Sequence, residues 1–184
     1  GLGTYTAKHI PLAIYAPAVN KTFFVYGGTP GPHDRYLLCM AGVFDHETGK
    51  VSKPTIVFDK QSVEDPHDNP SIALDDKGYL WVYISGRGRT RMGYKYRSKL
   101  PYSVEGFEQV TEEEMTYPQP KFIPGKGFLH LFTKYTGIRE LYFETSKDGV
   151  TWTEDQKLVG MRRSGDKNGG HYQLSGQKGD KIGF

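Results

Sequence analysis

Short hairpins recur along this chain at nearly regular distances, and they restrict its fold more than any other feature. Residues 11–15 and 22–26 flank a turn around Asn20-Lys21, and residues 70–74 and 79–84 flank Asp75-Asp76-Lys77-Gly78. Residues 118–123 and 128–132 flank Pro124-Gly125-Lys126-Gly127, and residues 171–174 and 181–184 flank Gly176-Gln177-Lys178-Gly179. Asp-Lys-Gly and Gly-Lys-Gly supply the positive φ that tight hairpins need, and the flanking runs hold the β-branched and aromatic residues that suit strands. The hairpins return about every 50 to 58 residues.

Two further strand-like segments follow each of the first three hairpins. They are 36–44 and 51–58, then 92–97 and 107–110, then 140–145 and 152–159. Four antiparallel strands per unit, repeated radially, describe the blade of an all-β β-propeller. The units cover about 9–60, 67–112 and 116–162, and 169–184 begins a fourth. Rings close on about four to eight blades, so the expected architecture is an incomplete ring, the N-terminal piece of a longer propeller. A compact all-β domain with accidental repetition is the competing architecture.

Composition agrees. Gly 23, Pro 11 and 14% aromatics in 184 residues disfavour long helices. No apolar run reaches the roughly 18 residues of a membrane span. With 36% hydrophobic residues and a net charge of +3 the chain can bury a core, and its scattered Lys and Arg do not form the stripe of a nucleic-acid binder. Cys39, the single cysteine, cannot form an internal disulfide and reads as a buried small hydrophobe. No phosphate-binding loop, Gly-x-Ser-x-Gly elbow or His-x-x-x-His pair is present, so neither metal nor cofactor is expected.

In a propeller the segments leading into each innermost strand converge on one mouth of the central channel, a natural place for a ligand. Here they read Lys8-His9-Ile10-Pro11, Asp65-Pro66-His67-Asp68-Asn69-Pro70, Thr116-Tyr117-Pro118-Gln119-Pro120 and Gly169-Gly170-His171-Tyr172-Gln173. Imidazoles and phenols gathered there are candidates for acid–base work. Arg87, Arg89 and Arg91 alternate between glycines, and in an extended segment they would project to one side as forks for carboxylate or sulfate. Lys134, Tyr135 and Arg139 follow the third hairpin. The Glu112-Glu113-Glu114 run reads as a solvated turn, His130 as a packed strand residue, and His46 as a second candidate histidine.

The segment Ser146-Lys147-Asp148-Gly149-Val150-Thr151-Trp152 resembles the Asp-box, or BNR repeat, of sialidase-like propellers. Its carboxylate accepts backbone N–H groups of its own turn, so Asp148 is a turn residue rather than a catalytic acid. Four further stretches carry a wider likeness: 65–72 (Asp-Pro-His-Asp-Asn-Pro-Ser-Ile), Gly86-Arg87-Gly88-Arg89, 115–120 (Met-Thr-Tyr-Pro-Gln-Pro) and Gly170-His171-Tyr172-Gln173. With Phe132-Thr133-Lys134-Tyr135-Thr136 and Arg139-Glu140-Leu141-Tyr142, they are similar to the BNR-repeat family of bacterial polysaccharide-utilisation proteins, related to ulvan-lyase-type propellers.

That resemblance implies a carbohydrate-active propeller outside the cytoplasm, periplasmic or secreted, that acts on or binds an acidic polysaccharide. In lyases of this kind histidine and tyrosine serve as base and acid, while a basic residue neutralises the uronate carboxylate. By motif, His67 and Tyr117 take the first two roles and His171 lines the site with them. Lys134 stands where the neutralising arginine is expected, with Arg139 or the arginines of 87–91 as substitutes. Asp68, Asn69, Arg87, Arg89, Arg91, Lys134, Tyr135 and Arg139 are the expected substrate-binding set. The competing readings are a glycan-binding propeller without catalysis, and a sialidase-like or five-bladed glycoside hydrolase in which Asp65 or Asp68 joins a carboxylate pair.

Overall fold

Strand β7 (Leu80–Ile84) has five residues, Leu-Trp-Val-Tyr-Ile, that are all buried. Successive strand side chains point to opposite sides, so they divide between two cores. Leu80, Val82 and Ile84 pack with Phe23, Leu37 and Ile72. Trp81 and Tyr83 pack with Met115, Phe128 and Phe132. A strand of this kind requires a further sheet on each side of its own.

The computed structural model, which describes residues 9–136, 138–159 and 173–184, supplies both. The first sheet holds β1 (Ala13–Ala16), β2 (Lys21–Gly28), β3 (Leu38–Asp45), β4 (Lys50–Val51) and β5 (Thr55–Asp59). The second runs β6 (Pro70–Leu74), β7, β8 (Gly93–Ser98) and β9 (Phe107–Glu113). The third runs β10 (Thr116–Ile123), β11 (Gly127–Tyr135), β12 (Arg139–Ser146) and β13 (Gln156–Val159), and β14 (Gly176–Lys178) pairs with β15 (Lys181–Gly183). Every pairing is antiparallel. Strand β6 lies against β1 on one side and β10 on the other, so the first strands of successive sheets stand together and the sheets fan out from them. The chain is a β-propeller of four-stranded antiparallel blades that do not close into a ring.

Four local expectations are corrected. The outer strand of the first blade is split into β4 and β5, both paired with β3: Ser52 still donates its N–H to the Val43 carbonyl at 2.8 Å, but Pro54 has no N–H to donate and regular pairing is interrupted before Thr55. Glu112 and Glu113 are strand residues of β9 rather than a solvated turn; the Glu113 carboxylate reaches the buried Lys95 ammonium at 2.5 Å. The strand expected at 152–159 begins only at Gln156, since Trp152 is held in the preceding turn. The last hairpin turns at Gly179-Asp180, so Gly176–Lys178 is strand, and 173–175 is not.

Two other local readings agree with the structure. His130 is fully buried within β11, and Cys39 is buried with its thiol pushed up to about 12 by loss of water.

Candidate active site

Asp65 opens the site. Asp followed by Pro is a strong start signal for a helical turn, and Pro66–Asp68 forms one turn of 3-10 helix with Asp65 as its N-cap. Asp65 Oδ1 accepts the His67 backbone N–H at 3.0 Å and also the His67 ring Nδ1. Asp65 Oδ2 accepts Arg91 Nη2 at 2.6 Å and Arg87 Nη1 at 3.3 Å. Burial pushes this carboxyl up, but the hydrogen bonds from His67 and Arg91 prevail and hold its pKa at about 2.

Around His67 two more lead-in segments meet. His9 is buried, and its Nε2 lies 2.8 Å from the His67 carbonyl oxygen. The Tyr117 ring centroid is 5.8 Å from that of His67 and 5.6 Å from that of His9. Tyr117 sits at the base of this cluster, 3% exposed. Its φ of 55° is rare for a residue with a bulky side chain, and its N–H donates to Ser85 Oγ at 3.1 Å. His67 and Tyr117, separated by 50 positions, are thus brought within 5.8 Å of each other, ring to ring. His171 lies outside the described residues.

The other predicted site residues are distributed differently. Asp68 and Asn69 are both 0% exposed and stand beneath the site rather than lining it. Asp68 accepts Arg91 Nη2 at 2.9 Å and Arg91 Nε at 3.0 Å, and pairs with Lys60 Nζ at 3.0 Å. The 87–91 segment is not extended: Arg87 and Arg91 face each other across a small turn, with Gly88 at φ 54°. Arg91 holds both Asp65 and the buried Asp68, whereas Arg87, its side chain 37% exposed, reaches Asp65 alone. Arg89 points out, with its side chain 77% exposed and 3.5 Å from Glu114.

Gly88 N–H donates to Thr116 Oγ1 at 3.0 Å, which ties this turn to the start of β10. A Cβ on Gly88 would lie 3.3 Å from the Tyr135 ring, so Tyr135 closes over the same loop. Lys134, the next residue back, lies on the other face of β11, over the Tyr142 ring and paired with Asp155. Arg139 sits opposite Tyr135 in the β11–β12 register. His46 is far from the cluster: it bonds Thr22 Oγ1 at 2.8 Å and packs edge-on to Tyr15 and Phe44, at the end of the first sheet opposite His9.

A cleft of about 440 Å³ adjoins Arg91, walled by Phe58, Lys60, Met92 and Tyr94. Among the described residues no three His, Cys, Asp or Glu side chains gather to hold a metal ion. Among the described residues no helix is long and apolar enough to cross a membrane. Sequence reasoning gave Asp65 only as a lead-in residue and a possible hydrolase carboxylate, not as the partner of His67, and it missed Ser85 and Lys60 as parts of the cluster. The Asp-Pro cap signal could have found the first, but nothing local marks the others.

No protein-family profile and no curated protein matches this sequence. Several solved structures share its fold. One is described as an ulvan lyase of a new polysaccharide lyase family, with TM-score 0.75 and 18% identity over 90% of this chain and 41% of that one. A second structure of such an ulvan lyase, bound to a glucuronate-(1-4)-rhamnose 3-sulfate repeat, gives TM-score 0.74 and 17% identity over the same shares, 90% and 41%. A protein of unknown function from Dyadobacter fermentans gives TM-score 0.58 and 13% identity over 80% of this chain and 40% of that one. The chain therefore spans about two fifths of the structures it resembles.

Proposed function

We propose that this chain belongs to a carbohydrate-active propeller that cleaves an acidic polysaccharide by β-elimination, with His67 and Tyr117 as its acid–base pair. The observation that carries the reading is the meeting of His9, His67 and Tyr117 at the head of the innermost strands, with ring centroids 5.6 and 5.8 Å apart. The likeness to a lyase solved with a uronate-containing repeat supports it.

Elimination suits these groups. One removes the proton at C5 of a uronate, the C4–O bond breaks as the C4–C5 double bond forms, and the other returns a proton to the leaving oxygen. A cation must spread the charge that builds on the uronate carboxylate. Arg87, Arg89, Lys134 and Arg139 are the available choices, and Arg89 is the most exposed of the ion-paired ones. His171 stays with the proposed site as a further ring, and Tyr135 as a wall. Cleavage of such polymers places the protein outside the cytoplasm.

Hydrolysis by Asp65 and Asp68 fits poorly. A glycosidase needs one carboxyl that stays protonated, whereas Asp65 is held at about 2 and Asp68 is sealed under Arg91 and Lys60.

The test is to incubate the protein with a sulfated, uronate-containing polysaccharide and follow ultraviolet absorbance from unsaturated uronyl ends. Such ends should form, and His67→Ala or Tyr117→Phe should each lower the rate by about 10²–10⁴-fold. New reducing ends without absorbance would establish hydrolysis instead. Retardation of the polymer in an affinity gel with neither product would establish binding alone.

A further inference from the structure

We infer that Asp65 is the positioning residue for His67 and Ser85 the one for Tyr117, and that a continuous chain of ion pairs and hydrogen bonds joins the two. The inference rests on the acid–base reading of His67 and Tyr117. It goes beyond that reading by assigning the groups that set their geometry, and it assigns Arg91 to the scaffold rather than to the substrate.

A histidine on a surface turn has two neutral tautomers and a rotatable ring, and a catalytic one needs a single choice of both. Asp65 makes that choice. The oxygen that caps the turn also receives Nδ1, which puts the proton on Nδ1 and the lone pair on Nε2 of the neutral ring. Asp65 cannot swing away, because Arg91 and Arg87 hold its second oxygen. Arg91 is itself anchored by both oxygens of Asp68, and Asp68 by Lys60 at 3.0 Å.

Lys60 donates to the Ser85 carbonyl at 2.8 Å. The Ser85 hydroxyl donates to the Gly86 carbonyl at 3.1 Å and accepts the Tyr117 N–H at 3.1 Å, pinning the residue that sits at φ 55°. One continuous path thus runs from the imidazole to the backbone of the phenol-bearing residue. A cap alone would not require this. Asp65 would need only its bond to the His67 N–H, and the two arginines would be free for a ligand.

The experiment has an arm that needs no substrate. Long-range ¹H–¹⁵N spectra of the intact protein should show neutral His67 as the Nδ1–H tautomer, and Asp65→Asn should shift it toward Nε2–H. A wild-type His67 carrying its proton on Nε2 would overturn the inference, whether or not Asp65→Asn folds. In the second arm, Asp65→Asn should lower kcat about 10²–10³-fold with KM changed less than about threefold. Ser85→Ala should lower kcat about tenfold at similar KM, and Ser85→Thr, which keeps the acceptor, should recover it. If wild type turns over polymer and Asp65→Asn does so equally fast, the positioning role fails while the elimination reading stands. If no polymer yields unsaturated ends but the tautomer is as assigned, the elimination reading fails alone.

Discussion

Lys121 is the residue whose chemistry is least expected from its surroundings. It lies in the innermost strand β10, 5% exposed, and among the described residues it makes no salt bridge. Loss of water lowers its ammonium to about 8 from the ordinary 10.5. The unfolded chain therefore binds more protons between pH 8 and 10.5, and stability rises across that window. Lys121→Met, which keeps the length and removes the charge, should stabilise the fold at pH 7 by about 1–2 kcal/mol. Urea titrations at several pH values check this; the gain should shrink toward pH 10.5, and an equal gain at every pH would refute it. Tyr117 is a different case, because its unusual φ is held by the bond from its N–H to Ser85 Oγ.

The turn between β12 and β13 shows what a short element can encode unaided. Asp148 Oδ1 accepts N–H groups of Val150 at 2.8 Å and Thr151 at 2.7 Å, and Trp152 Nε1 donates to the Gly149 carbonyl at 2.8 Å. Each of these contacts spans three residues or fewer, which is why the motif was readable from the chain alone. Asp75 repeats the device in the second blade, where it accepts Tyr79 N–H at 2.8 Å and Trp81 Nε1 at 2.9 Å. Gly149 adds a constraint from outside the turn: at φ 77°, its missing Cβ would lie 2.4 Å from the Trp81 ring of the neighbouring blade. Gly149→Ala should therefore cost about 2–4 kcal/mol, well above an ordinary turn substitution. Chemical denaturation measures it, and a loss below about 1 kcal/mol would mean the blades are not packed this way.

At the scale of the molecule, adjacent blades are joined by charge as well as by apolar packing. Lys95 of the second blade is fully buried, 2.6 Å from Glu144 of the third, and 3.7 Å above the Trp152 ring. Glu144 also bonds His130 Nδ1 at 2.8 Å. Burial raises the Glu144 carboxyl, but His130 and Lys95 together bring it down to about 2. His130 is pushed below the usual histidine value, chiefly by burial. Both shifts have the same sign for stability: the unfolded chain takes up more protons in acid, so the interface weakens as pH falls below about 6.5 and again from 4.5 toward 2. Glu144→Gln should cost about 2–4 kcal/mol at pH 7, because Lys95 loses a buried counter-charge. The variant should also lose the acid step below pH 4.5, and melting curves across pH would reveal its persistence if the pairing were unimportant.

Strand period, turn chemistry and the Asp148 motif were legible in the sequence because each depends on neighbours within a few residues. They determine that the chain makes four-stranded antiparallel blades, and they placed β6 at its true bounds, Pro70–Leu74. The candidate pair His67 and Tyr117 was legible only once those blades were assumed to share an axis. Which cations hold the protein and which are left for a ligand was decided by the tertiary structure alone. A guanidinium binds whatever carboxylate the fold brings within about 3 Å, and Arg91 meets Asp65 and Asp68 across 26 and 23 positions. Charge at such separations has no local pattern, so only packing could assign Arg91 to the scaffold and leave Arg89 in solvent.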